Sequence, residues 1–214
     1  LYNFTIVAQA TACIGNGTTP VGYPFYTYYH DSRTQMLYTS AEILAGGGAP
    51  GMITKIGFNV TAAEPQVMNG FNIRIQQTTA SSISGFVSAG WTTVYTGTYT
   101  VPGTGWQYIE LQTPFYYSCT QNLLIEICYD NTAYTANSMV NGSAAAGMTW
   151  HHHLDGSTGC TMTGGSAQAT RPNICLQVNL LVGNNHLSSE VPSVFSLEQN
   201  YPNPFNPVTK INYS

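Results

Sequence analysis

The run Trp150-His151-His152-His153-Leu154-Asp155 gathers three of the five histidines of the chain. On an extended strand successive side chains alternate, so His151 and His153 share a face while His152 points away. Two imidazoles on one face, with Asp155 two residues on, could bind a transition metal. Packing of structural histidines competes with that reading, and no Glu stands at the spacing a zinc-protease helix needs. No metal is therefore assigned, and His151, His153 and Asp155 stand as candidates only. Asp31, Asp130, Asn131 and Asp155 fall in apparent loops, where oxygen ligands could hold calcium. Turn capping by Asp and Asn explains the same residues, and no Asp-x-Asp-x-Asp spacing occurs.

Catalytic equipment is sparse. No Gly-x-Ser-x-Gly elbow is present. Glycoside cleavage needs two facing carboxylates. Glu110 and Glu126 lie on predicted strands and could face each other, but pairing with Lys55, Arg74 or Arg33 is the preferred reading. No enzyme is expected. Aromatic residues are more prominent, with 15 Tyr and three Trp. Tyr23, Phe25, Tyr26, Tyr28 and Tyr29 form a dense group. Aromatic faces stack on sugars and also anchor protein interfaces or cores.

Composition narrows the class further. Charged residues make up 7% and hydrophobic ones 43%, against roughly 25% charged in an ordinary soluble domain. A surface built from Thr, Ser, Asn, Gln and Gly suits an extracellular protein that packs against copies of itself, because few charges need desolvating. The net charge of −4 argues against nucleic acid, which demands a basic face. No apolar run is long enough for a transmembrane segment. Leu1 begins no basic, apolar leader, which reads as a mature form.

Cys13, Cys119, Cys128, Cys160 and Cys175 include no CxxC pair. In an oxidising compartment two disulfides and one free thiol are expected. Proximity along the chain suggests Cys160–Cys175 across a Gly-rich loop and Cys119–Cys128 across a hairpin-like turn. Buried free thiols, or a link between two chains through the odd cysteine, remain open.

Period-two alternation sets the elements that must position these residues. Ile56/Phe58/Val60, Phe71/Ile73/Ile75, Tyr95/Tyr99/Val101, Ile109/Leu111, Ile125/Ile127/Tyr129 and Ile174/Leu176/Val178/Leu180 each read as one face of a half-buried strand. Asn16-Gly17, Asn69-Gly70, Asn141-Gly142 and Pro102-Gly103 read as turns. Only Ser40 to Ala45 looks helical. The fold class is all-β, a β-sandwich with jelly-roll or Greek-key connections and extended N- and C-terminal strand-like arms. The expected organisation is an arm over 1–12, a sandwich over 13–182, a linker over 183–191 and a distinct segment over 192–214.

That last segment contains Gln199-Asn200-Tyr201-Pro202-Asn203-Pro204-Phe205-Asn206-Pro207. It resembles the start of the C-terminal sorting domain used by the type IX secretion system of Bacteroidetes and related phyla. The resemblance implies export across the outer membrane, then release or attachment at the cell surface. Members of that family continue for several more strands, so 192–214 is read as a partial sorting segment. In the body, Tyr28-Tyr29-His30-Asp31-Ser32-Arg33-Thr34-Gln35, the stretch from Asn122 to Asn131, and Arg171-Pro172-Asn173-Ile174 resemble a jelly-roll-like module of large Bacteroidetes surface proteins. That resemblance implies adhesion or surface structure and brings no catalytic set.

Two functions follow as expectations. The first is an extracellular structural subunit that self-assembles into a filament, sheath or surface array, a homo-oligomer or polymer built by strand exchange. Its anchoring side chains would be Phe4, Ile6 and Val7 at one end and Phe195, Leu197, Tyr201, Phe205, Ile211 and Tyr213 at the other. The alternative is a carbohydrate-binding or adhesive surface module with glycans as partners.

Overall fold

The computed structural model describes residues 8–156 and 158–180. In chain order the strands are β1 (Gln9–Ile14), β2 (Thr19–Val21), β3 (Asp31–Tyr38), β4 (Gly51–Ala62), β5 (Met68–Thr78), β6 (Thr92–Tyr99), β7 (Gly105–Tyr117), β8 (Asn122–Asp130), β9 (Met139–Leu154), β10 (Ser166–Pro172) and β11 (Ile174–Leu180). A six-residue helix, α1 (Ser40–Ala45), follows β3, and a 3-10 turn (Gly159–Thr161) precedes β10. The fold is all-β, and every strand pairing is antiparallel. Strand order is β1-β11-β4-β9-β3-β8-β5-β6, with β7 on β4 and both β2 and β10 on β9. No helix among the described residues is long and apolar enough to cross a membrane.

The sheet curls on itself. One half is β1-β11-β4-β7 and the other is β10-β9-β3-β8-β5-β6. They join where the end of β4 reaches β9, with Val60 opposite Val140. Ile56 and Phe58 of β4, Ile109 of β7 and Leu176 of β11 share one buried cluster with Met36 of β3, Phe71 and Ile73 of β5 and Ile125 of β8. Alternation therefore delivers the apolar faces to one interior, as the periodicity predicts.

β3 and β8 depart from the half-buried pattern, because both of their faces are covered. Leu37 and Leu124 on the outer face form a second cluster with Ile83, which Val87, Trp91, Met148 and Trp150 pack against. The connection between β5 and β6 thus lies across the outside of the sheet. The predicted helix is present at Ser40–Ala45. Thr39 caps it: its hydroxyl accepts from Glu42 N, and Glu42 Oε2 accepts from Thr39 N at 2.9 Å. Two of the expected turns are instead inside strands. Asn141-Gly142 lies in β9, and Asn69-Gly70 lies in β5, where Gly70 has φ +57° and the register with β6 shifts. A bulge uses the same Asn-Gly tolerance for positive φ that a turn would.

The cysteine pairing differs from the sequence expectation. Cys13 bonds Cys175, and Cys128 bonds Cys160, leaving Cys119 free and buried. Cys13 and Cys175 stand opposite each other in the β1–β11 register, an encounter between residues 162 positions apart. Cys119–Cys128 fails because Cys119 belongs to the interior cluster, whereas Cys128 lies beside Glu126 on the outer face of β8. Cys160–Cys175 fails because Cys175 faces Cys13 in the β1–β11 register, while Cys160, in the 3-10 turn before β10, bonds Cys128 of β8.

The N-terminal boundary shifts as well. Gln9 to Ala12 pair with Asn179 to Leu176 of the same chain, so this part of the expected arm is a strand of the sandwich. Without β1, β11 would expose an unpaired edge. At the other end the chain divides between Leu181 and Val182. Phe4, Ile6, Val7, Phe195, Leu197, Tyr201, Phe205, Ile211 and Tyr213, and the segments 183–191 and 192–214, lie outside the described residues.

Candidate functional site

The connection from β2 to β3 carries the tyrosine group, and β9 carries the histidines. Phe25 fixes the connection by inserting into the interior, 5.3 Å from Phe58 and 6.5 Å from Phe71 between ring centroids. Burial of such a ring contributes roughly 1.5–3 kcal/mol. Thr27 Oγ1 donates to Ala136 O at 2.7 Å, and Tyr28 N donates to Asn137 Oδ1 at 2.9 Å. Phe25 therefore belongs to the core, Tyr23 is buried against His151, and Tyr26, Tyr28 and Tyr29 form the outward aromatic group.

The strand rule holds at the histidines. In the β3–β9 register Thr34 stands opposite His151 and Ser32 opposite His153. Both rings turn to the tyrosine side. Tyr26 stacks on His153 with centroids 4.4 Å apart and meets His151 at 5.1 Å. Tyr29 lies 4.2 Å from His153, and Tyr23 lies 5.1 Å from His151. Around them is an open recess of about 550 Å3, lined by Tyr23, Tyr26, His151, His152, His153, Gly165, Ser166 and Gln168. Beside it Tyr28 and Tyr134 meet at 6.0 Å and stand 55% and 60% exposed.

His151 is buried. Its Nδ1 lies 2.9 Å from Thr34 Oγ1 and its Nε2 lies 3.1 Å from His153 Nδ1. Burial, then the neighbouring imidazoles His153 and His152, pushes His151 down to about 3, and burial likewise lowers His153. Both rings are thus neutral at ordinary pH. Tyr23 is pushed up to about 12 by burial, although its hydroxyl donates to Thr170 O at 2.9 Å. It stays a neutral hydroxyl.

The other candidates are dispersed. Asp155 Oδ1 accepts from the backbone N–H of His30 at 3.0 Å. Asn131 Oδ1 accepts from Asn69 N and Nδ2 at 2.8 and 3.2 Å. Asp31 and Asp130 are paired end residues of β3 and β8 rather than loop residues. Among the described residues no three His, Cys, Asp or Glu groups gather as a metal cluster. His151 and His153 therefore stand together, while Asp155 is engaged at His30 and the acidic residues do not gather with them.

Glu110 and Glu126 do not face each other. Glu110 lies 3.8 Å from Lys55 on the exposed surface. Glu126 is fully buried on the outer face of β8. Its Oε2 accepts from Arg33 Nε at 2.8 Å and Gln35 Nε2 at 2.6 Å, while its Oε1 accepts from Arg74 Nε at 2.7 Å and from Arg74 Nη2. Arg33 Nη1 also donates to Met162 O at 2.6 Å, and Val87 N donates to Gln35 Oε1 at 2.9 Å. The cluster fastens two connections to the sheet, and its carboxylate has no lone pair left over for acid–base work.

Sequence reasoning finds the imidazole pair and the tyrosines, but not Thr34, Ser166 and Gln168. Thr34 becomes visible only through the β3–β9 register. Comparison of the chain with family models, curated proteins and solved structures returns no match. Function must be read from these side chains.

Proposed function

We propose that the chain is an extracellular surface module that binds neutral polysaccharide through its tyrosine–histidine face. The observation that carries this reading is the outward aromatic group, Tyr26, Tyr28, Tyr29 and Tyr134, around a recess with the neutral polar groups of Ser166, Gln168 and His153. Aromatic faces cover the apolar faces of sugar rings, and amides, hydroxyls and imidazoles meet their hydroxyls. Charge selects the class of glycan. The four cationic side chains among the described residues, Arg33, Lys55, Arg74 and Arg171, each pair with a carboxylate. None is left to attract a sulfated or uronic polymer. Two disulfides fit an oxidising compartment, and the type IX sorting resemblance supplies the route outward.

The test is co-sedimentation of the full chain with insoluble neutral and acidic polysaccharides. Binding to a neutral polymer, reduced at least about tenfold in Tyr26→Ala and Tyr28→Ala, is the expected result. No binding to any neutral polymer would end this reading.

One observation favours a second reading, the self-assembling subunit. Among the described residues β10 pairs only with β9, its Ser166, Ala167 and Ala169 are exposed, and its single charge, Arg171, is buried. An uncharged strand edge accepts a further strand readily. The strand-like apolar residues of 192–214 from another copy are the natural donor.

A further inference from the structure

We propose that His151 and His153 form a chelate for one divalent transition metal ion, with His151 Nε2 and His153 Nδ1 as the ligand atoms. Those nitrogens lie 3.1 Å apart on one face of β9. Two imidazole nitrogens at ordinary metal–nitrogen lengths are separated by about 3.0 Å at a right angle and about 3.4 Å at a tetrahedral one. In the ion-free chain this contact is a hydrogen bond from one ring to the other, and the same separation suits an ion in place of the shared proton. Both rings line the same open recess, which leaves room for water to complete the coordination.

The neighbour of His151 fits the assignment. Its Nδ1 stands 2.9 Å from Thr34 Oγ1 inside the sheet. With the proton on Nδ1, His151 donates to that hydroxyl and presents the Nε2 lone pair to the recess. Metal-bound histidines are held this way by a partner on the second nitrogen. His153 then carries its proton on Nε2 and offers Nδ1, so two neutral imidazoles bind the ion without releasing a proton. Tyr26, stacked on His153 at 4.4 Å, fixes the second ring. Imidazole donors suit Cu2+, Zn2+ and Ni2+, with Cu2+ bound most tightly of these. His152 also borders the recess, with its ring centroid 6.5 Å from that of His153, but it has no part in the close nitrogen pair and serves as the control position. The assignment is independent of the polysaccharide reading, since it rests on nitrogen geometry and the other on exposed tyrosines.

The experiment is titration of the metal-free full chain with Cu2+ and with Zn2+ by calorimetry, together with electron paramagnetic resonance of the Cu2+ form. One ion per chain and coupling to two imidazole nitrogens are expected. His153→Gln, at a partly exposed position, should weaken binding by at least about tenfold, and Thr34→Val by about tenfold through loss of the orienting hydroxyl. His152→Gln should change it less than about twofold. Circular dichroism and thermal melting of each variant separate lost ligands from lost folding. No binding by the native chain, or equal affinity in a folded His153→Gln variant, overturns the assignment. So does a loss in His152→Gln as large as that in His153→Gln, because the ion would then sit on the exposed histidine run.

Discussion

Glu126 is withdrawn from water between two guanidinium groups, and Arg33 Nη2 also lies 2.8 Å from its Oε2. Removing one partner from such a buried set leaves an uncompensated charge, which costs about 3–5 kcal/mol. Glu126→Gln keeps the shape and loses the charge, so urea unfolding at pH 7 should show a loss in that range. A loss under about 1 kcal/mol would mean that the arginines find other partners. Glu42 makes a different prediction. Hydrogen bonds from Arg171 hold it well below the usual carboxylate range, at about 2, against the opposing pull of burial. A depressed carboxylate adds stability that is complete above about pH 4.5 and lost as pH falls towards 2. Its side chain is 38% exposed, so solvent screening reduces the effect to about 1–2 kcal/mol. Glu42→Gln should therefore be less stable than the native chain at pH 7, with the difference closing by pH 2. A gap that stays constant across that interval would assign the loss to the cap at Thr39 instead.

At the scale of elements, two disulfides hold different things. Cys13–Cys175 ties β1 to β11 across 162 residues, while Cys128–Cys160 ties a connection to β8 across 32. Loop-closure entropy gives about 5 kcal/mol for the first and about 4 kcal/mol for the second. Cys13→Ala/Cys175→Ala should thus lower the urea midpoint more than Cys128→Ala/Cys160→Ala, and the reverse order would show that packing of the second connection dominates. The same pair of bonds marks where sequence reading stops. Phe71, Ile73 and Ile75 show their shared face by alternation alone, and Ser40 to Ala45 is legible as a helix, though its Thr39 cap is seen only in the structure. His151 and His153 are placed on one face by period two, without any knowledge of what they meet. Cys13 opposite Cys175, and Thr34 opposite His151, are facts of register between distant strands, and nothing local encodes them. Glu126 illustrates the intermediate case. Its strand and its cationic partners are readable, but its burial depends on the connection that crosses the outside of β3 and β8.

The whole molecule carries 14 charged side chains, five Lys or Arg and nine Asp or Glu, and among the described residues seven of them are taken up in ion pairs. Association through the tyrosine face or the edge of β10 would then rest on aromatic, amide and backbone contacts, which salt screens little. Association of the full chain, with polysaccharide or with itself, should persist in 1 M NaCl at roughly its low-salt strength. Deletion of 191–214 separates the two modes. The paired strands Gln9–Ile14 to Ile174–Leu180 lie entirely before the cut, so the shortened chain should fold and remain monomeric by light scattering. If strand donation to β10 builds a polymer, electron microscopy should show filaments from the full chain and none from the deletion, while polysaccharide binding through Tyr26 and Tyr28 is unchanged. Filaments that survive the deletion would remove 192–214 as the connector. Loss of polysaccharide binding on deletion would move the binding surface away from the tyrosines and onto the C-terminal segment.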